Sequence, residues 1–188
     1  MLKDKSLPLR QGATNLVFGV GNPDTKILFI GEGPGYWEDQ KGEPFVGNAG
    51  KLLNSLLQLI KLERSKVYIT NVIHHRPPNN RDPEPSEIAA YALYLDKIIE
   101  IIKPRVVVTL GRFSMGKFLP GVKITAIHGR EFSINWKGKE TTIVPMFHPA
   151  AALRSTEVLR AIKEDFIKLP EILNRVKEEP KGEQMKFI

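Results

Sequence analysis

Short apolar runs recur along the chain and end where glycine or polar residues begin. Residues 26–30 (KILFI), 66–73 (KVYITNVI) and 105–110 (RVVVTL) are rich in Val, Ile and Leu, which predicts buried strands. Residues 131–136 and 141–145 flank a short KGK turn and predict a hairpin that leads into a last core strand. The first three runs and the second arm of the hairpin are therefore predicted to form a four-stranded sheet.

Longer amphipathic segments separate these runs. Residues 51–60 carry leucines at helical spacing, so the leucines share one face of a predicted helix. Ser86 is a favourable N-cap for a helix predicted to continue to about residue 102, where Pro104 ends it. Residues 156–169 predict the final helix, and the charged tail from about residue 177 is predicted to be loose.

Strands that alternate with helices favour a mainly parallel sheet covered on both faces. The sequence therefore predicts an α/β fold, a three-layer α/β/α sandwich around a central, mainly parallel, four-stranded sheet. A chain of 188 residues is long enough to bury one core, so residues 1–188 are predicted to form a single domain. Ligands of such sheets bind at the carboxyl ends of the strands, so we expect the site on segments 31–35, 71–76 and 148–154 and on the segment from residue 111.

Composition and charge narrow the possible functions. The formal net charge of +7 favours association with polyanions, of which nucleic acid is the commonest in a cytoplasm. The chain has no cysteine, which excludes disulfides and thiolate metal sites. No apolar run reaches the ~18 residues of a membrane span, and the first ten residues lack the apolar centre of a signal peptide. A cytoplasmic, nucleoid-associated protein without membrane contact is therefore expected.

A glycine-rich turn, Gly31-Glu32-Gly33-Pro34-Gly35, follows the first predicted strand directly. It lacks the three-glycine pattern of a dinucleotide-binding turn, and no GKS or GKT follows as in a Walker loop. The acidic residue of the turn would also repel a phosphate. Taken alone, the turn is consistent with a purely structural role, and its neighbours decide the interpretation.

Four motifs in order along the chain resemble those of the family-four uracil-DNA glycosylases. They are GEGPGYWED, GEPFVGNAG, a strand that ends in Asn71 before RPPNNR, and HPAAALR, which begins at His148. The resemblance extends from about residue 18 to residue 154. It implies a uracil-DNA glycosylase, a hydrolase that cleaves the N-glycosidic bond of uracil in DNA and starts base excision repair.

The resemblance assigns three residues to a pocket for a uracil that has been flipped out of the DNA. Phe45 is expected to be the aromatic floor on which the base stacks, a contact worth ~1–3 kcal/mol in comparable settings. Asn71 is expected to read the base, because its amide matches the N3–H and O4 of uracil and mismatches cytosine. Glu38 corresponds to a position near the C5 edge of the base, where it is expected to exclude the methyl group of thymine.

The resemblance also implies the catalytic groups. His148 corresponds to the catalytic histidine, which stabilises the negative charge that develops on uracil O2. Glu32 and the backbone of Gly33 correspond to the position that orients the attacking water. The carboxylate has two open roles, since it either positions that water or stabilises an oxocarbenium-like sugar.

Further residues are expected to contact the DNA itself. By resemblance, Leu153 is an apolar wedge that enters the base stack, and Arg154 lies near a phosphate. Arg76 and Arg81, together with Lys51, are candidates for additional contacts to the DNA backbone.

The chain departs from the family at its iron–sulfur cluster, which requires four cysteine thiolates. Laid over the family pattern, the cysteine positions correspond to Asp4, Leu7, His75 and Tyr91. These residues do not form a thiolate set, so no cluster, metal or other cofactor is predicted. We expect packing around Leu7 and Tyr91 to replace the cluster.

The sequence therefore predicts an enzyme whose partner is uracil-containing DNA and which acts as a monomer. One alternative is a non-catalytic DNA-binding damage sensor with the same fold. The joint presence of Glu32, Phe45, Asn71 and His148 argues against it. A second alternative is a nucleotide-binding α/β protein, which the absence of a phosphate-binding pattern disfavours.

Overall fold

A computed structural model describes residues 1–177, which fold around one central six-stranded sheet. The two middle strands, Ile27–Gly31 and Val106–Leu110, are short, rich in Val, Ile and Leu, and buried along their whole length. The strands are β1 (Val20–Gly21), β2 (Ile27–Gly31), β3 (Tyr68–Asn71), β4 (Val106–Leu110), β5 (Phe132–Trp136) and β6 (Lys139–Met146).

The strand order is β1-β3-β2-β4-β6-β5. The four central strands are parallel, as predicted, and the two edge strands are antiparallel to their neighbours. The predicted count of four strands was therefore too low, although the mainly parallel α/β class is correct. β1 was missed because it has only two residues, and β5 was predicted only as an arm of the hairpin.

The described residues form seven α-helices and three short 3-10 helices, which are Arg10–Gly12, Arg64–Lys66 and Pro78–Asn80. The helices are α1 (Tyr36–Lys41), α2 (Asn48–Leu59), α3 (Pro85–Ile102), α4 (Arg112–Phe118), α5 (Ile124–Ile127), α6 (Pro149–Ala152) and α7 (Thr156–Lys177). The glycines, proline and acidic residues of segment 31–47 predict a loop, but Tyr36–Lys41 form the short helix α1 between Gly35 and Gly42.

The boundaries of two long helices differ from the prediction. The N-cap of α3 is Glu84 rather than Ser86. The Glu84 carboxylate accepts the backbone N–H of Glu87, and the Glu87 carboxylate accepts the backbone N–H of Glu84. The last helix, α7, continues beyond the predicted end at residue 169 and includes Pro170. Ile172, which follows this proline, is buried in the core with Leu169. The tail predicted to be loose lies almost entirely outside the described residues.

Side chains of the central strands alternate between two cores, which establishes the three-layer arrangement. In β2, Ile27 and Phe29 face the core formed with α2 and α7, whereas Leu28 and Ile30 face the core formed with α3. Because the four central strands are parallel, their carboxyl ends lie at one edge of the sheet.

Within residues 1–177, no helix is both long enough and apolar enough to cross a membrane.

Candidate active site

A cleft of about 610 Å³ opens at the carboxyl ends of the parallel strands. The loops after β2, β3, β4 and β6 all contribute to its walls, as the topology of the sheet requires. Most of the side chains that were predicted from the sequence line this cleft, namely Glu32, Gly33, Glu38, Phe45, Asn71, Arg81, His148 and Arg154.

Phe45 lies on the wall of the cleft in a strained loop. Its φ of 54° is unusual for a residue with a Cβ, and its side chain is buried. Oε1 of Glu38 accepts the N–H groups of Val46 and Gly47 at 2.9 and 2.8 Å, which holds the loop in this conformation. A Cβ on Gly50 would lie 1.9 Å from the carbonyl oxygen of Phe45, so the first turn of α2 must also present a glycine there.

Arg64 supports the same loop from the other side, a role that sequence reasoning missed. Its Nη2 donates to the carbonyl of Pro44 at 2.6 Å, and its Nη1 donates to Oδ1 of Asn54 at 3.0 Å. The ring of Phe45 faces the imidazole of His148, with the ring centroids 5.6 Å apart and tilted by 31°. The floor of the cleft is therefore an aromatic surface fixed by hydrogen bonds rather than a mobile loop.

Asn71 ends β3 and is almost fully buried. Its Oδ1 has no hydrogen-bond partner among the described residues, so it is a buried and unsatisfied hydrogen-bond acceptor. A Cβ on Gly31 would lie 2.4 Å from this oxygen and 2.6 Å from the Phe45 ring, so the glycine lets both side chains reach the cleft. An N–H donor such as N3–H of uracil would satisfy the oxygen.

His148 follows the end of β6 and caps the short helix α6. Its Nδ1 accepts the backbone N–H of Ala150 at 3.2 Å, so the proton of the neutral ring lies on Nε2. Burial lowers the pKa of His148 to about 4, and the nearby charge of Glu38 opposes this shift only in part. At neutral pH the imidazole is therefore uncharged and offers one N–H donor.

Glu32 lies directly after β2 and also lines the cleft. Burial, and to a smaller extent the charge of Asp82, raise the pKa of Glu32 to about 7 against the opposing effect of Arg112. Arg112 and Asp82 form an ion pair at the mouth of the cleft. Sequence reasoning did not select this pair, although Arg112 begins the segment after β4 that was expected to contribute to the site.

Comparison with known proteins identifies the family. A model of the uracil DNA glycosylase superfamily matches residues 18–169. The chain belongs to the uracil-DNA glycosylase superfamily. It is 46% identical over 176 residues to the type-4 uracil-DNA glycosylase of Sulfurisphaera tokodaii, an alignment that covers 89% of this chain and 79% of the relative. It is 44% identical to the type-4 enzyme of Thermotoga maritima, over 92% of this chain and 91% of the relative. A type-4 enzyme of Archaeoglobus fulgidus is 42% identical, over 89% and 86%.

This member of the uracil-DNA glycosylase superfamily has its predicted DNA contacts around the mouth of the cleft or beside it. Leu153 is about half exposed at the end of α6, and Arg154 follows it. Arg76 stacks on Tyr36 rather than lining the cleft, with its guanidinium carbon 5.1 Å from the ring centroid. Arg81 lines the cleft, but its guanidinium donates to both carboxylate oxygens of Glu87 at 2.8 and 2.6 Å.

The four positions that correspond to cluster cysteines do not fit an iron–sulfur cluster. Nδ1 of His75 is 2.7 Å from the hydroxyl of Tyr91, and the Tyr91 ring is completely buried. Leu7 is buried in the same core, and Asp4 accepts a hydrogen bond from Tyr94. Across the described part of the chain, no group of three or more His, Cys, Asp or Glu side chains is arranged to hold a metal ion.

Proposed function

We propose that this protein hydrolyses the N-glycosidic bond of uracil in DNA and thereby starts base excision repair. The observation that carries the proposal is the convergence of Glu32, Phe45, Asn71 and His148 on one cleft. Family membership supports the same activity. The proposal assigns each of the four side chains a step that its geometry allows.

Base recognition uses the floor and the end of the cleft. A uracil flipped out of the DNA stacks on Phe45 and places N3–H against the unpartnered Oδ1 of Asn71. The amide nitrogen of Asn71 then donates to O4. Cytosine has an acceptor at N3 and an amino group at C4, so both contacts would fail and the buried amide would stay unpaired. Glu38 holds the loop of Phe45, and we also propose that it excludes a methyl group at C5.

Bond cleavage leaves the electron pair of the C1′–N1 bond on uracil. The neutral imidazole of His148 donates Nε2–H to uracil O2, where the negative charge develops. A donor that is already fixed in a buried site stabilises this charge without reorganisation. The backbone N–H of Ala150 keeps the ring in the required tautomer, so it is a positioning group.

Glu32 and the backbone of Gly33 are proposed to orient the attacking water. The water adds its oxygen to C1′ of the sugar and passes a proton to the surrounding solvent, while uracil departs as the anion with the electron pair of the broken C1′–N1 bond. In its ionised form the carboxylate orients the water or stabilises the positive charge on the sugar, and both roles require the negative charge. A pKa near 7 places this ionisation in the working range of pH.

The DNA is proposed to be held beside the cleft by the residues after His148. Leu153 is exposed and apolar, which suits a wedge that fills the space of the extruded base. Arg154 is proposed to contact a phosphate, as are Arg76 and Arg81. Arg81 would share its guanidinium between that phosphate and Glu87.

A direct test uses a labelled oligonucleotide with one uracil, followed by alkali and separation of the fragments. Scission at the uracil, and none in the thymine-containing control, is the expected result. A folded protein that binds the oligonucleotide but leaves it intact would contradict the proposal and support the damage-sensor alternative.

We also propose that the enzyme works without an iron–sulfur cluster or other cofactor. The four corresponding positions carry an acid, a leucine, a histidine and a tyrosine, which are not the soft thiolates that iron–sulfur clusters require. Protein purified from iron-supplemented cells is expected to contain less than stoichiometric iron and no visible absorption band. Stoichiometric iron in active protein would overturn this proposal.

A pH profile tests the role of Glu32. Because only the ionised carboxylate orients water, the single-turnover rate is expected to rise between about pH 6 and 8, around the raised pKa of the group. Glu32→Gln is expected to remove this rise and to lower the plateau. Rates measured from pH 5.5 to 9 on the same uracil oligonucleotide check both outcomes.

The stability of the same variant provides the control. The folded state retains the Glu32 proton up to about pH 7, whereas the unfolded state loses it near 4.5, so this group makes the protein less stable as pH rises through that window. Glu32→Gln is expected to flatten this dependence in urea unfolding. A variant with unchanged profiles of both rate and stability would show that Glu32 does not titrate in this range.

The enzyme is further proposed to act as a monomer on DNA in the cytoplasm and nucleoid. All proposed substrate contacts come from one copy of the chain, so a second copy is not needed to complete the cleft. Light scattering in the presence and absence of DNA would reveal a dimer if this proposal is wrong.

A further inference from the structure

Two neighbouring aromatic side chains at the start of α1 lie largely in solvent. Trp37 is 58% exposed and Tyr36 is 48% exposed, and their ring centroids are 5.1 Å apart in an edge-to-face arrangement. Neither ring belongs to the two buried cores of the sheet. Large rings left in water lose the free energy that burial would supply, so such a pair is typical of a binding surface.

The pair is held beside the cleft rather than on a remote surface. Gly35 and Glu38, which flank it in the sequence, both line the cleft. A Cβ on Gly47 would lie 3.6 Å from Cδ1 of Trp37, so the indole also borders the loop that carries Phe45. We refer to Tyr36 and Trp37 together as the aromatic pair.

Arg76 gives the aromatic pair a positive neighbour. Its guanidinium lies over the Tyr36 ring, and its Nε donates at 2.7 Å to Oδ1 of Asn80, a residue that lines the cleft. The acidic residues of α1 do not oppose this charge directly. Asp39 is buried and accepts backbone N–H groups of Thr14 and Asn15, and Glu38 is engaged by the Phe45 loop.

We propose that Trp37 stacks on an unpaired nucleobase next to the extruded uracil, while Arg76 contacts the phosphate of that nucleotide. This inference rests on the proposed function, since it places the base in the strand that enters the cleft. Every nucleobase offers a π-face, so the contact is insensitive to sequence. It favours single-stranded or locally opened DNA, because a base in an intact duplex already has both faces stacked.

The experiment uses the intrinsic fluorescence of Trp37. The chain has two tryptophans, so Trp136→Phe leaves Trp37 as the only reporter. The probe is a twelve-nucleotide single strand of thymidylate, which contains no uracil and therefore requires no catalysis. Quenching of Trp37 emission on titration is expected, and a fully paired duplex of the same length is expected to quench it less.

Substitutions distinguish stacking on a base from a nonspecific apolar contact. Trp37→Leu is expected to raise the Kd for the labelled single strand by about fivefold to a hundredfold, the range that follows from loss of one base–aromatic stack. Trp37→Phe keeps a π-face and is expected to retain most of the affinity. Leu93→Ala, which removes an exposed apolar side chain on α3, is the matched control and is expected to bind as the wild type does.

Three outcomes would overturn the inference. They are unchanged Trp37 emission in the DNA-bound protein, a Trp37→Leu variant that binds the single strand within twofold of wild type, and a concentration-dependent dimer in sedimentation that Trp37→Leu abolishes. Failure of the proposed function is distinguishable, because a protein that releases no uracil would still show quenching by the uracil-free probe. Normal uracil release with unchanged binding in Trp37→Leu would instead refute the stacking inference alone.

Discussion

Replacement of His148 by alanine is expected to lower the single-turnover rate of uracil release by about 10²–10³, with little change in the affinity for uracil-free DNA. The effect is large because the imidazole is the neutral donor proposed to face uracil O2, where the negative charge of the departing base develops. Nδ1 of His148 accepts the N–H of Ala150, which leaves the single ring proton on Nε2, and its pKa of about 4 keeps the ring uncharged at neutral pH. Rapid mixing with excess enzyme over a labelled uracil oligonucleotide measures this rate.

Two controls accompany this substitution. His128→Asn changes a histidine outside the cleft lining while it keeps a side-chain donor for Asp165, which accepts a hydrogen bond from His128 at 2.7 Å. It is expected to keep nearly the wild-type rate. Thermal unfolding of the His148 variant shows whether the fold is intact. A folded His148→Ala protein with wild-type rate would mean that another group stabilises the uracil anion.

Replacement of Tyr91 by alanine is expected to lower the free energy of unfolding by about 3–5 kcal/mol, the usual cost of removing a large buried aromatic side chain. Tyr91 is completely buried on α3, and its ring packs against the imidazoles of His74 and His75. The variant also leaves buried Nδ1 of His75 without its hydroxyl partner. Urea unfolding followed by circular dichroism measures the change.

Tyr91→Phe separates the hydrogen bond from the packing. It keeps the ring and removes only the hydroxyl group, so a smaller loss of about 1–3 kcal/mol is expected from the unpaired nitrogen of His75. The matched control Tyr94→Phe removes a hydroxyl that donates to the half-buried Asp4 and is expected to change stability less. Tyr91→Ala with wild-type stability would show that packing around Tyr91 does not replace the cluster.

Local sequence patterns were sufficient for the central strands and for most of the cleft. The apolar runs of β2 and β4 are continuous because both faces of these strands are buried, and that signal can be recognised without knowing which strands are neighbours. The edge strands were harder to predict. β1 has only two residues, and it is a strand only because it pairs with β3, which lies far away in the sequence.

The roles of supporting residues could not be predicted from the sequence. Glu38 accepts two N–H groups of the loop that carries Phe45, and Arg64 reaches Pro44 across twenty residues of chain. Such contacts join segments that come together only on folding. Arg112 and Asp82, which shift the pKa of Glu32 in opposite directions, are likewise thirty residues apart.

The sequence by itself determined the α/β class, the family and the identity of the chemical groups, because motifs such as GEGPG and HPAAALR are contiguous and carry their residue types with them. The tertiary structure alone decided the state of those groups. The lowered pKa of His148, the raised pKa of Glu32 and the unpartnered oxygen of Asn71 all arise from burial and from residues distant in the chain. Solvation and hydrogen bonding depend on distances in space, and those distances are set only when the sheet brings the ends of its parallel strands to one edge.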